Sequence, residues 1–192
     1  GVAHVDRFAV ATAQGEVLAD RVVVATGGLP MPAIGATDFG LRLSATGDPW
    51  FTAPVEMPRG LYFAGYSEAD ANPDMGDSAI METIGLGAFA MASAPAVAGF
   101  VGAGGLDEAI AFTRAMGAIA PARNPKWAIP ALGFEGVPTG IDARLVVESR
   151  VQPAINTGIA HRRPGVGQVG AGVARAPLAC FEKALGAFAR TL

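Results

Sequence analysis

Apolar and polar residues alternate from Arg7 to Thr12, which predicts a strand. Gln14-Gly15 reads as a turn, and Val17 to Ala25 as a second strand ending in four apolar residues. The glycines and prolines between Thr26 and Ala36 predict loop, and Thr37 to Ser44 a short helix. Pro49, Pro54 and Pro58 mark an extended linker. Leu61 to Tyr66 reads as a strand, followed by an acidic loop from Ser67 to Asp77. Asp77 or Ser78 is placed to cap a helix running to about Ala92, with Pro95 breaking or restarting it. Leu106 to Ile119 predicts an amphipathic helix with Leu106, Ile110, Thr113 and Met116 on one face. Pro121 to Pro138 reads as irregular, Asp142 to Glu148 as a short helix or strand, and Val151 to Ala160 as a strand. A glycine-rich loop is expected from Gly165 to Gly172. Pro177 to Leu192 predicts a closing helix, with Leu178, Phe181, Leu185 and Phe188 as its apolar stripe. The expected fold class is mixed α/β (α+β): a short hairpin or strand fragment in front, then a mixed domain with a helical end.

Composition narrows the function classes. An apolar fraction of 51% is ample for a packed core. Gly 26 and Pro 14 in 192 residues signal many turns and close backbone approaches, common around small-ligand sites. A net charge of -3 with scattered arginines and 7% aromatics argues against nucleic acid as a partner. The single Cys180 excludes an internal disulfide and points to a reducing, cytoplasmic setting. Residues 1–16 lack a basic start followed by an apolar run, and the start at Gly1 is read as truncated. Thr83 to Leu106 is uncharged and long enough to cross a bilayer, but its small residues favour a buried helix over a membrane span.

Several residue groups could carry chemistry. Gly165-Val-Gly-Gln-Val-Gly170 matches the GxGxxG pattern, yet Pro164 precedes it and Pro177 stops any long helix after it. A substrate loop or tight packing turn built on Gly165, Gly167, Gln168 and Gly170 fits better than a dinucleotide site. Asp70-Ala-Asn-Pro-Asp-Met-Gly76 approaches a calcium loop, but its Gly and Glu82 each miss their places by one. A solvated turn is the plainer reading, and a substrate-facing loop with Asp77, Ser78 and Glu82 on an amide or amine is another. His161 follows Asn156 and Thr157 and precedes Arg162 and Arg163. Arginine forks grip carboxylate or phosphate, Asn and Thr bind amides, and His moves protons. The alternative is a surface loop with solvated arginines. Pro138 to Arg144 adds a polar turn with Thr139, Asp142 and Arg144, where an ion pair pinning the turn competes with substrate binding. Cys180 fits a core thiol, and no metal site is expected.

Two resemblances divide the chain near Asp48 to Phe51. Ala19-Asp-Arg-Val-Val-Val-Ala-Thr-Gly-Gly28 and the following run to Gly40 resemble the YhiN/BaiN-like FAD-binding flavoproteins. Residues 1–48 are therefore expected to be a fragment of such a domain, without the segments that bind FAD. Residues 50–192 resemble the carboxyl-terminal part of the YlbE/YahG-like family. The matching runs are Gly60 to Ser78, Glu82-Thr-Ile-Gly-Leu-Gly87, Pro138-Thr-Gly-Ile-Asp142 and Ile155-Asn-Thr-Gly-Ile-Ala-His161. That family includes a subunit of oxamate carbamoyltransferase, which interconverts oxalurate plus phosphate with oxamate plus carbamoyl phosphate. The resemblance implies FdrA-like and AllH-like partner subunits and small anionic substrates.

The leading expectation is a fragment of a carbamoyltransferase-type subunit, in a chimeric or fragmentary chain. Arg144, Arg162 and Arg163 would neutralise substrate, Asn156 and Thr157 would orient an amide, and His161 would shuttle a proton. The Gly165 to Gly172 loop would offer N–H groups to an oxyanion. No cofactor is expected, with FAD required only if the front were part of a complete flavin domain. The competing readings are a truncated FAD-dependent oxidoreductase and a non-catalytic subunit that uses its Thr83 to Leu106 segment to bind a partner.

Overall fold

The computed structural model describes residues 8–12, 15–19, 24–28, 38–43, 46–74 and 78–190. Two strands open the chain, β1 (Phe8–Thr12) and β2 (Gly15–Ala19), paired as an antiparallel hairpin. A three-stranded antiparallel sheet follows, built from β3 (Val24–Gly28), β4 (Asp38–Leu43) and β5 (Phe51–Pro54), with β4 central. Its strands come from both sides of the junction at residues 48–51. The expected helix over Thr37 to Ser44 is corrected: residues 38–43 form a strand. Phe39, Leu41 and Leu43 recur every second residue and are all buried, which is the strand period, and Gly40 between them disfavours helix. Thr26 to Gly28, expected as loop, complete β3 against β4.

The second sheet has the order β6-β10-β9, with β6 (Arg59–Tyr62), β9 (Ala154–Ala160) and β10 (Gln168–Arg175). β9 and β10 form a hairpin whose tip spans residues 161–167. The glycine-rich stretch is thus half turn and half strand, because Gly170 and Gly172 belong to β10. Their missing side chains let β6 approach: a Cβ on Gly172 would sit 2.7 Å from the Arg59 carbonyl oxygen, and one on Gly60 would sit 2.0 Å from that of Ala171.

Pro121 to Pro138, expected as irregular, holds a third hairpin of β7 (Ala122–Ile129) and β8 (Glu135–Thr139). Pro125 lies where the register slips between Asn124 and Ala128, so the proline falls in a bulge that spares the ladder.

The helices are α1 (Ala79–Thr83), α2 (Pro95–Phe100), α3 (Leu106–Gly117), α4 (Ala143–Ser149) and α5 (Leu178–Ala189). The single helix expected up to Ala92 is corrected. It stops after five residues, turns at Gly85 and continues as a 3-10 helix over Gly87–Ser93. Gly85 and Gly87 both have positive φ, which a continuing α-helix cannot accept. Pro95 then starts α2 at its first turn. Among the described residues, no helix is long and apolar enough to cross a membrane.

In α3 the buried face is Ala109, Thr113 and Met116, while Leu106 is exposed at the start. The Thr113 hydroxyl accepts the Ala92 N–H at 2.9 Å, tying α3 to the 3-10 segment. α5 buries Cys180, Phe181 and Ala184 against β4, β5 and α4. The main core joins these residues to Phe89, Met91, Ile119, Val146 and Ile155.

Candidate functional site

Glu82, on α1, is 1% exposed, an unusual place for a carboxyl group. Its Oε1 accepts the Asn156 N–H of β9 at 2.8 Å, and its Oε2 accepts the Phe89 N–H at 3.4 Å. Burial pushes the acid up to about 8, against the opposing pull of the N–H groups of Asn156, Ala88 and Phe89. Glu82 is therefore mainly neutral at pH 7. The sequence Glu82-Thr-Ile-Gly-Leu-Gly87 follows from this nest. A Cβ on Gly87 would meet Oε1 at 2.1 Å, and one on Gly85 would meet the Pro138 carbonyl oxygen at 2.5 Å. The Gly140 N–H donates to the Thr83 carbonyl oxygen at 2.8 Å, closing the same turn against the end of β8.

Ser78 stands beside this nest, its hydroxyl 3.4 Å from the Thr157 hydroxyl. Thr157 in turn donates to the Gly158 carbonyl oxygen at 3.2 Å. The Asn156 Oδ1 is buried without a hydrogen-bond partner among the described residues. Asp77 lies outside the described residues.

A second cluster gathers at the hairpin tip. His161 is buried, its Nδ1 accepting the Arg163 N–H at 2.8 Å. The ring proton consequently sits on Nε2, which faces Asp70 Oδ1 at 3.7 Å. Tyr66 meets the imidazole edge-on at a centroid distance of 5.8 Å. Backbone bonds complete the clasp: Arg162 N–H to the Asp70 carbonyl at 2.8 Å, Asn72 N–H to that of Ala160 at 2.8 Å, and His161 N–H to that of Gly167 at 2.9 Å. Hydrogen bonds from the Ser67 N–H and hydroxyl, aided by His161 and Arg162, hold the Asp70 carboxyl below its ordinary range.

Arg162, Arg163, Gly165, Gly167 and Gln168 are exposed on this tip. Gly165 and Gly167 have φ of 78° and 91° with nothing near a would-be Cβ, so they serve the turn itself. The Gln168 side chain donates to the Gly170 carbonyl oxygen at 2.8 Å and lies over Gly158.

The third group stands apart on α4. Asp142 caps that helix by accepting the Arg144 N–H at 3.0 Å and pairs with the Arg144 guanidinium at 2.7 and 3.0 Å. Burial opposes its charge, but these bonds outweigh burial and keep its carboxyl below the usual range. Thr139 donates to the Val137 carbonyl oxygen at 3.2 Å.

The structure thus brings Ser78, Glu82, Asn156 and Thr157 together at the middle of β9. It places His161, Arg162 and Arg163 just past the end of that strand, about four residues or roughly 13 Å along it. Arg144 is committed to Asp142. From sequence, Asp70 stands out only as the start of a calcium-like run, and neither it nor Tyr66 is expected to meet His161; both lie within the family-like run from Gly60 to Ser78. Among the described residues, no cluster of His, Cys, Asp and Glu suits a metal ion.

Known proteins share long stretches of this sequence. Residues 9–78 match the family described as oxamate carbamoyltransferase subunit AllG, a match that runs across residues 48–51. The chain is a relative of AllG and YahG, as its motifs led us to expect. It is 54% identical over 154 residues to the oxamate carbamoyltransferase subunit AllG of Escherichia coli (strain K12), covering 80% of this chain and 37% of that protein. It is 51% identical over 148 residues to the uncharacterized protein YahG of the same organism, covering 77% and 31%. The crystal structure of a conserved protein of unknown function from Enterococcus faecalis V583 superposes with a TM-score of 0.79 at 44% identity, covering 88% of this chain and 39% of that one. The chain therefore spans about a third to two fifths of the length of these proteins. None of these matches is to a flavoprotein.

Proposed function

We propose that this chain is part of a carbamoyltransferase-type subunit that handles small anions together with FdrA-like and AllH-like partner subunits. The observation that carries the reading is the 54% identity to AllG over 80% of the chain. The chemistry fits the exposed turn of residues 162–168. In oxalurate phosphorolysis a phosphate oxygen attacks the carbamoyl carbon, the bond to the oxamate nitrogen breaks, and that nitrogen takes up a proton. Two anions must meet, so cations have to offset their repulsion. Arg162 and Arg163 supply that charge on a turn with positive-φ glycines. His161 is a positioning residue here, since its ring is buried and its Nδ1 is occupied by the Arg163 N–H. No electrons are transferred in this reaction, so the reading requires no flavin.

The test is steady-state kinetics of the protein assembled with its partner subunits. Arg162→Ala should raise KM for the anionic substrate about 10- to 100-fold, the value of one charge-assisted hydrogen bond. Arg190→Ala, at the far end of α5, should leave it unchanged. Equal effects of the two substitutions would reject the turn as the anion site.

A further inference from the structure

The strand β6 and the helix α2 leave an apolar ridge in the open. Leu61 is 53% exposed and Phe63, just beyond β6, is 41% exposed. The two lie two residues apart, on one face of the extended chain. Phe63 still belongs to the ladder, since its N–H donates to the Val169 carbonyl oxygen at 2.8 Å. Val97 and Phe100 on α2 are 44% and 51% exposed and lie three residues apart, on one face of the helix. The two pairs are joined: the Phe63 and Phe100 rings lie 6.3 Å apart, and a Cβ on Gly102 would touch Leu61 Cγ at 3.4 Å. β6 is also an edge strand of its sheet. Four large apolar side chains beside a sheet edge are costly to leave in water.

What covers such a ridge is indicated by length. In the relatives, the stretch matched by this chain is 37% to 39% of a longer polypeptide. The other three fifths need a surface on the matched part to join it, and among the exposed apolar side chains these four are gathered beside an open sheet edge. We propose that Leu61, Phe63, Val97 and Phe100 form the seat for that remaining portion of the fold. The occupant is polypeptide corresponding to the unmatched stretch of the longer relatives, carrying an apolar element of its own. The inference rests on the relation to the longer proteins and is independent of carbamoyl transfer.

The test is thiol labelling with a maleimide. Cys180 is buried and its thiol is pushed up to about 11 by burial, so the native background is low. Leu61→Cys, Phe100→Cys and, as a control away from the ridge, Phe134→Cys are labelled in the 192-residue chain. Cysteines at the matching positions of full-length E. coli AllG are labelled in parallel, and the modified peptides are read by mass spectrometry. The expected result is labelling at the first two positions at least about tenfold slower in the full-length protein, with equal rates at the control. Equal rates at all three positions would overturn the proposal. So would protection in the 192-residue chain that grows with its own concentration, since the occupant would then be a second copy.

Discussion

Glu82 stores a pH response. Its acid is raised by burial from 4.5 to about 8, so the folded chain keeps a proton that the unfolded chain releases. The resulting stability is full below about pH 4.5 and declines as pH rises towards 8, at up to about 1.4 kcal/mol per pH unit. Urea midpoints at pH 5 and pH 8 should therefore differ in the native protein, and the difference should shrink in Glu82→Gln. An unchanged difference would show that Glu82 is not the titrating group. Glutamine should itself weaken the fold somewhat at pH 5, because one half of the nest must then offer an amide N–H to the Phe89 N–H. The glycines around it separate two effects. Gly165→Ala, strained but unobstructed, should cost about 1 kcal/mol. Gly87→Ala adds a collision with the Glu82 carboxyl and should cost clearly more, on the order of 3 kcal/mol. Equal losses in thermal melts would remove the packing argument.

Elements whose signal is local could be read from sequence. Leu178, Phe181, Leu185 and Phe188 at helical spacing mark α5, whereas the stretch from Asp142 to Glu148 reads equally as helix or strand, and the Asp142 cap on the Arg144 N–H decides for α4. Asp142→Ala should cost about 1–2 kcal/mol, since it removes the cap and leaves Arg144 without its carboxylate; chemical denaturation reads this directly. Elements whose signal is non-local were missed. Phe39-Gly-Leu41-Arg-Leu43 carries the strand period over only five residues, and pairing with β3 and β5 is what fixes it as β4. The β7–β8 hairpin was obscured by prolines, whose bulge becomes visible only in the pairing. The residues of the candidate site were largely legible, because polar groups beside glycines stand out. Their arrangement was not: alternation along β9 and the clasp with Tyr66 and Asp70 separate His161 from Asn156, and no spacing rule gives that. Arg144 drew attention by its charge, yet Asp142 had already claimed it.

At the scale of the molecule, the two three-stranded sheets and the five α-helices of the described residues build the main core, the β7–β8 hairpin packs in a smaller cluster of its own, and two polar clusters lie along β9. The middle of β9 meets a buried nest that fixes α1 and the glycine turn after it. Beyond its last residue, a clasped turn displays two arginines. The relation to AllG gives that exposed turn its proposed role, and the apolar ridge of β6 and α2 is the proposed seat for polypeptide corresponding to the unmatched stretch of the longer relatives. The central claim, that this is a piece of carbamoyl-transfer machinery, is open to one direct measurement. The matched stretch of E. coli AllG would be replaced by residues 1–192, and the chimera assembled with the remaining subunits of the enzyme. Carbamoyl phosphate formation from oxalurate and phosphate would then be followed. The account predicts that the chimera is active and that Arg162→Ala within it cuts kcat/KM about tenfold or more. A chimera that folds and assembles but forms no carbamoyl phosphate would contradict it.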